Sequence, residues 1–141
     1  MTCELCSNPG GELLWQDERC RVVLIGERGY EGFCRVIWAA HVKEMTDLPK
    51  ADREHLMRVV FAVEAAVRAC TGCHKVNLAS FGNYVPHVHW HVIPRFSDDR
   101  HFPDAFWSPA VREDAPGRAH ATPDLQQRLG GHIASTLNQH M

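Results

Sequence analysis

The sequence predicts an α+β domain in which about five antiparallel strands carry helices on one face. Three observations lead there. Short runs rich in β-branched and aromatic residues, bounded by glycine, occupy the first forty positions. One long amphipathic helix follows, and two further strand-like runs come after it.

Residues 1–11 read as an irregular start, with Pro9-Gly10-Gly11 as a turn. Leu13 to Gln16 reads as a short strand. Arg19 to Ile25 reads as a second, closed by Gly26 and Gly29, and Gly32 to Ala39, with Phe33, Val36, Ile37 and Trp38, as a third. The last two would pair as an antiparallel hairpin. Residues 43–48 allow one helical turn, stopped by Pro49. From Asp52 to Cys70, the residues Leu56, Val59, Val60, Val63, Val67 and Cys70 recur at helical spacing on one face, and Gly72 ends the helix. Lys75 to Phe81 and His87 to Ile93 read as strands, the latter closed by Pro94. Residues 96–122 look like loop, and Pro123 to Gln139 like a terminal helix weakened by Gly130-Gly131.

The 141 residues suit a single domain over 1–141, large enough to bury a core without staples. A formal charge of −2 offers no basic footprint, so a nucleic-acid polymer is not an expected partner; small phosphorylated ligands need only a local site. The longest apolar stretch, Val59 to Val67, is short and broken by Glu64, so no membrane association is expected. The start Met1-Thr2-Cys3-Glu4 has no signal-peptide pattern, and a cytoplasmic location is expected. The six cysteines are then thiols or metal ligands rather than disulfides.

Chemistry concentrates in His87-Val88-His89-Trp90-His91-Val92-Ile93-Pro94-Arg95. In a strand, successive side chains point to opposite faces, so His87, His89 and His91 share one face while Val88, Trp90 and Val92 share the other. In a helix the first two histidines would diverge by roughly 200° and no joint site would form. Three histidines in five positions are a poor choice for a wetted strand face that Thr, Lys or Glu would serve. Imidazoles can ligate metal or do catalysis, and alternation alone does not separate the two.

This segment resembles the signature of the histidine-triad family. Phe33-Cys34-Arg35-Val36-Ile37-Trp38-Ala39-Ala40-His41 followed by Val42 to Leu48 is similar to that family's upstream strand, which ends in a histidine and runs into a short helix. The resemblance covers about residues 1–107. It implies a homodimer with adjoining sheets. It implies hydrolysis at the α-phosphate of an AMP-type nucleotide substrate, an adenosine phosphoramidate or dinucleoside polyphosphate, through a nucleotidyl-histidine. His89 would be the nucleophile, His91 the proton donor to the leaving group, and His87, with His41, the supporting histidines. Asn77 and Asn83 would contact ribose or phosphate. No cofactor is implied for catalysis. The chain departs from the family in carrying Asn83-Tyr84 where Gln followed by Ser or Thr is common, so a hydroxyl for the leaving group is missing or comes from elsewhere. A non-catalytic nucleotide sensor and a metal-binding protein stand as alternatives.

Cys3-Glu4-Leu5-Cys6 has zinc-ligand spacing. By the resemblance, Cys3, Cys6, His41 and His87 would hold a structural zinc. Cys70 and Cys73 form a second pair, which core packing also explains, and a four-cysteine site joining both pairs is the rival arrangement. Trp38 and Trp90 are expected in the core or at a dimer contact. Tyr30 and Phe33 are candidates to stack a base, and Phe106-Trp107 lies on an aromatic loop that could line or cover a nucleotide pocket, with simple loop packing the favoured role. His55, His74, His120, His132 and His140 are expected at the surface.

Overall fold

The computed structural model describes residues 3–113 and 123–138. A short helix, α1 (Glu4–Ser7), precedes three strands, β1 (Glu12–Gln16), β2 (Cys20–Leu24) and β3 (Cys34–Trp38). A 3-10 turn at Met45–Asp47 leads into the long helix α2 (Lys50–Thr71), and β4 (Lys75–Ala79), β5 (His89–Arg95) and α3 (Pro123–Asn138) follow. The strands form one sheet in the order β1-β2-β3-β5-β4, every neighbouring pair antiparallel. This is the expected α+β architecture with five strands.

Alternation along the strands sorts the two faces. Val22 and Leu24 of β2, Val36 of β3 and Val92 of β5 are buried against Leu56, Val59 and Val63 of α2 and Leu129 and Ile133 of α3. Each such side chain stabilises the fold by about 1.5–3 kcal/mol, so this side is the main core. Val23 and Ile37 point the other way, where Leu5 of α1 covers them. Both long helices therefore lie on one face, and the N-terminal segment crosses part of the other.

Several boundaries differ from the expectations. The start is not wholly irregular, because α1 forms within it. The last strand begins at His89 rather than His87: residues 85–87 turn, with the His87 N–H bonded to Val85 O. It also runs through Pro94, which lies beyond Val92, the last residue paired with β3. Gly72 takes the left-handed conformation (φ 63°) that closes α2. Gly130 does not interrupt α3. A Cβ there would stand 3.1 Å from Leu14 O, so the missing side chain lets the helix approach β1. His55 is buried, bonded to Asp17 across 2.6 Å, and is no surface residue. His74 is exposed as expected and His132 half-buried; His120 and His140 lie outside the described residues. Trp38 is in the core, with Trp90 half-buried against it.

Candidate functional site

The open face of β5 carries the histidines, and pairing decides their neighbours. In register, His89 stands opposite Ile37 and His91 opposite Arg35. The His89 and His91 rings lie 5.1 Å apart, so the extended backbone brings the two imidazoles together on one face. Val88 and Val92 point into the core on the other side.

His89 is oriented by its own chain. Its Nδ1 lies 2.6 Å from the carbonyl of His87. A carbonyl only accepts, so Nδ1 carries the hydrogen and Nε2 keeps a lone pair. Burial lowers the His89 pKa against a smaller opposing effect of that hydrogen bond, with Arg35 adding to the lowering. The ring is therefore neutral near pH 7. His91 is pushed down to about 4, first by burial and then by the charges of Arg35 and of a protonated His89. Its Nδ1 is buried without a partner, and its ring sits edge-on between Phe33 and Trp107 at 6.0 and 5.1 Å.

His89 and His91 line a cavity of about 400 Å³ together with Arg35, Gly10, Tyr84 and Trp107. The N-terminal segment forms one wall. Arg21 holds that segment in place through the carbonyls of Leu5, Asn8 and Pro9. A second recess, bounded by Lys43, Thr46, Ser80 and Gly82, meets the first at His89 and includes His87.

His87 turns away from the main cavity toward the cysteines. Its Nε2 donates to Trp38 O, which leaves Nδ1 as an acceptor. The Sγ atoms of Cys3 and Cys6 each lie 3.4 Å from that Nδ1, and Cys6 Sγ lies 3.4 Å from Nδ1 of His41. One donor atom from each of Cys3, Cys6, His41 and His87 falls within 4.8 Å of the others. Two thiols and two imidazoles with an outer hydrogen bond fixing one ring form the soft, four-donor set that zinc prefers, so the residues fit the metal. Cys70 and Cys73 pack against the core and belong to no metal-capable group among the described residues, so the four-cysteine arrangement has no geometry.

Other expected residues fall less centrally. Asn77 accepts from Arg95 Nη1 at 2.8 Å and borders a shallow depression behind Phe81 and Trp107. Asn83 is exposed and lines neither recess. Tyr84 borders the cavity yet is fully exposed, and the Ser80 hydroxyl donates to His89 O at 2.8 Å. Tyr30 and Phe33 are buried and unavailable to stack a base. One site residue, Arg35, has no role in the sequence expectations. Arg35 had a signal, a lone cation inside an apolar strand. For Trp107 the less favoured of the two expectations holds: it packs against His91 and lines the cavity rather than serving loop packing alone.

Among known proteins, the HIT domain profile matches residues 10–98. The fold superposes on a histidine triad protein from Sinorhizobium meliloti 1021 with a TM-score of 0.71 at 24% identity, covering 96% of each chain. A histidine triad protein from Marinobacter aquaeolei VT8 gives 0.71 at 21% identity, over 99% of this chain and 96% of that one. A zinc-bound histidine triad family protein from Mycobacterium smegmatis gives 0.64 at 22%, over 99% and 95%. A search of curated proteins found no match.

Proposed function

The chain belongs to the HIT domain family, mostly nucleotide hydrolases and transferases, and from that premise we propose that it hydrolyses nucleoside 5′-monophosphate derivatives through a nucleotidyl-His89 intermediate. The observation that carries this reading is the His89 ring, neutral, tethered through Nδ1 to its own chain and facing a 400 Å³ cavity.

Nε2 of His89 attacks the α-phosphorus. The bond from phosphorus to the leaving group breaks, and its electron pair departs with that group. Water then attacks the phosphorus, the P–N bond breaks, and its electrons return to Nε2, releasing a nucleoside monophosphate and one proton. His91 stands beside the departing atom as a neutral N–H donor and passes a proton only as negative charge builds there. His87 and His41 support the site from the cysteine side. A zinc ion held by Cys3, Cys6, His41 and His87 would be structural, tying the cavity wall to the strand that carries His89. Asn77 is retained through Arg95 as a positioning residue, and Asn83 as a contact at the rim. We take residues 1–141 as one domain and the working form as a homodimer, which light scattering checks.

The test is incubation with an adenylyl phosphoramidate, with and without chelator, followed by mass spectrometry. The expected result is an AMP adduct that accumulates in His91→Ala and is absent in His89→Ala. Turnover that chelator abolishes, with no adduct in any variant, would replace this reading with a metal-dependent one. The exposed Tyr84 favours one second reading, a slow nucleotide sensor, whose mark is tight AMP binding without turnover.

A further inference from the structure

We propose that Arg35 is a substrate-binding residue that receives the phosphate chain beyond the α-phosphate, making nucleoside polyphosphates rather than phosphoramidates the favoured substrate class. The inference rests on the hydrolase reading above and adds the leaving group to it.

Arg35 is out of keeping with its strand. Its neighbours Cys34, Val36 and Ile37 are fully buried, and a cation among them must lose hydration. Within the described residues that loss is only weakly compensated. The Nε atom is buried with no partner. Nη1 makes one long hydrogen bond, 3.5 Å to Gly10 O. Among the described residues no carboxylate forms an ion pair with it; Glu4, exposed on the same cavity's N-terminal wall, acts on its charge without pairing to it. Other arginines of this chain show what a satisfied guanidinium looks like here. Arg95 donates four hydrogen bonds, to Asp99, Asn77 and the Asp104 carbonyl, and Arg21 holds three carbonyls.

The position selects the ligand. Arg35 lines the same cavity as His89 and His91, and it faces His91 rather than His89 across the β3–β5 pair. Phosphorus under attack must stand at Nε2 of His89. The cation is therefore displaced one register step from the nucleophile, toward the ring that would flank the leaving atom. A guanidinium fork with Nε unpartnered and Nη1 held only by that long contact matches a phosphate oxygen pair. An amine leaving group would offer it nothing to bind. With a polyphosphate, the bond between the α-phosphorus and the bridging oxygen breaks, the electron pair stays on the departing phosphate oxygen, and Arg35 balances that added charge without a proton being required.

The experiment compares kcat/KM for a dinucleoside tetraphosphate and for an adenylyl phosphoramidate in wild type, Arg35→Gln and Arg35→Lys. The ratio of polyphosphate to phosphoramidate efficiency should fall about 10- to 100-fold in Arg35→Gln and less in Arg35→Lys, as loss of a charge-assisted bidentate contact implies. Calorimetric binding of inorganic tripolyphosphate gives a readout independent of turnover and should weaken about as much, with circular dichroism confirming the fold of each variant. An unchanged ratio, with both substrates losing alike, or unchanged tripolyphosphate binding, would overturn the assignment of Arg35 while leaving the His89 mechanism standing. Absence of any adduct, with tripolyphosphate binding still dependent on Arg35, would defeat the hydrolase reading and keep the anion site.

Discussion

Replacing Asp99 by Asn should unfold this protein more readily than any single change at the catalytic histidines. Asp99 is 2% exposed, and its two carboxylate oxygens accept from six donors. Arg95 supplies two of them, Nε at 2.9 Å and Nη2 at 3.1 Å, and is itself 2% exposed. The Tyr30 hydroxyl and the amides of Phe96, His101 and Phe102 supply the rest. Since a carboxylate only accepts, Tyr30 donates to it, and His101 Nδ1 donates to the Tyr30 oxygen. Asparagine keeps the shape, removes the charge from a buried pair and turns one acceptor into a donor facing donors. Breaking a buried pair costs about 3–5 kcal/mol. For a chain of this size that is a fall of about 10–15 °C in Tm. Burial alone would raise the Asp99 carboxyl, but Arg95 and the three amides outweigh it and hold it well below the usual 3.8. A depressed folded value means the stabilisation is complete above that pH and drains away as pH falls below it. Urea unfolding of wild type and Asp99→Asn should therefore show the full difference at pH 7 and convergence toward acid. A loss under about 1 kcal/mol at pH 7, or a gap that stays constant below pH 3.8, would refute the reasoning.

Other outcomes follow from the same geometry. Purified protein should carry one zinc per chain by atomic emission, lost in Cys3→Ser and kept in Cys70→Ser; the reverse pattern would contradict the Cys3, Cys6, His41, His87 set. His91 has a folded pKa of about 4 against 6.5, so the unfolded chain takes up a proton first as pH falls, and stability declines between those values by up to about 3 kcal/mol. Urea unfolding should show this slope in wild type and a flatter one in His91→Gln. Trp107→Ala removes the ring packed 5.1 Å from His91 while exposing little core, so Tm should drop by only a few degrees while KM rises; unchanged kinetics would put Trp107 outside the site.

Local pattern made much of this protein legible in its sequence. A period of two put His89 and His91 on one face whatever the strand paired with, because side-chain alternation belongs to the extended backbone itself. The apolar repeat of α2 and its glycine stop were equally local, as was the zinc-like spacing of Cys3 and Cys6. Partners distant in the chain were not local. Arg35 stands opposite His91 only because β3 and β5 pair in one register, and Trp107 packs on the same ring from a loop whose start Asp99 ties to Arg95, Tyr30 and three amides. His55 looked like surface until β1–β2 brought Asp17 against it. Residue type and period decide which way a side chain points; what it meets there depends on pairing and packing between segments far apart in sequence, and only the tertiary structure decides that.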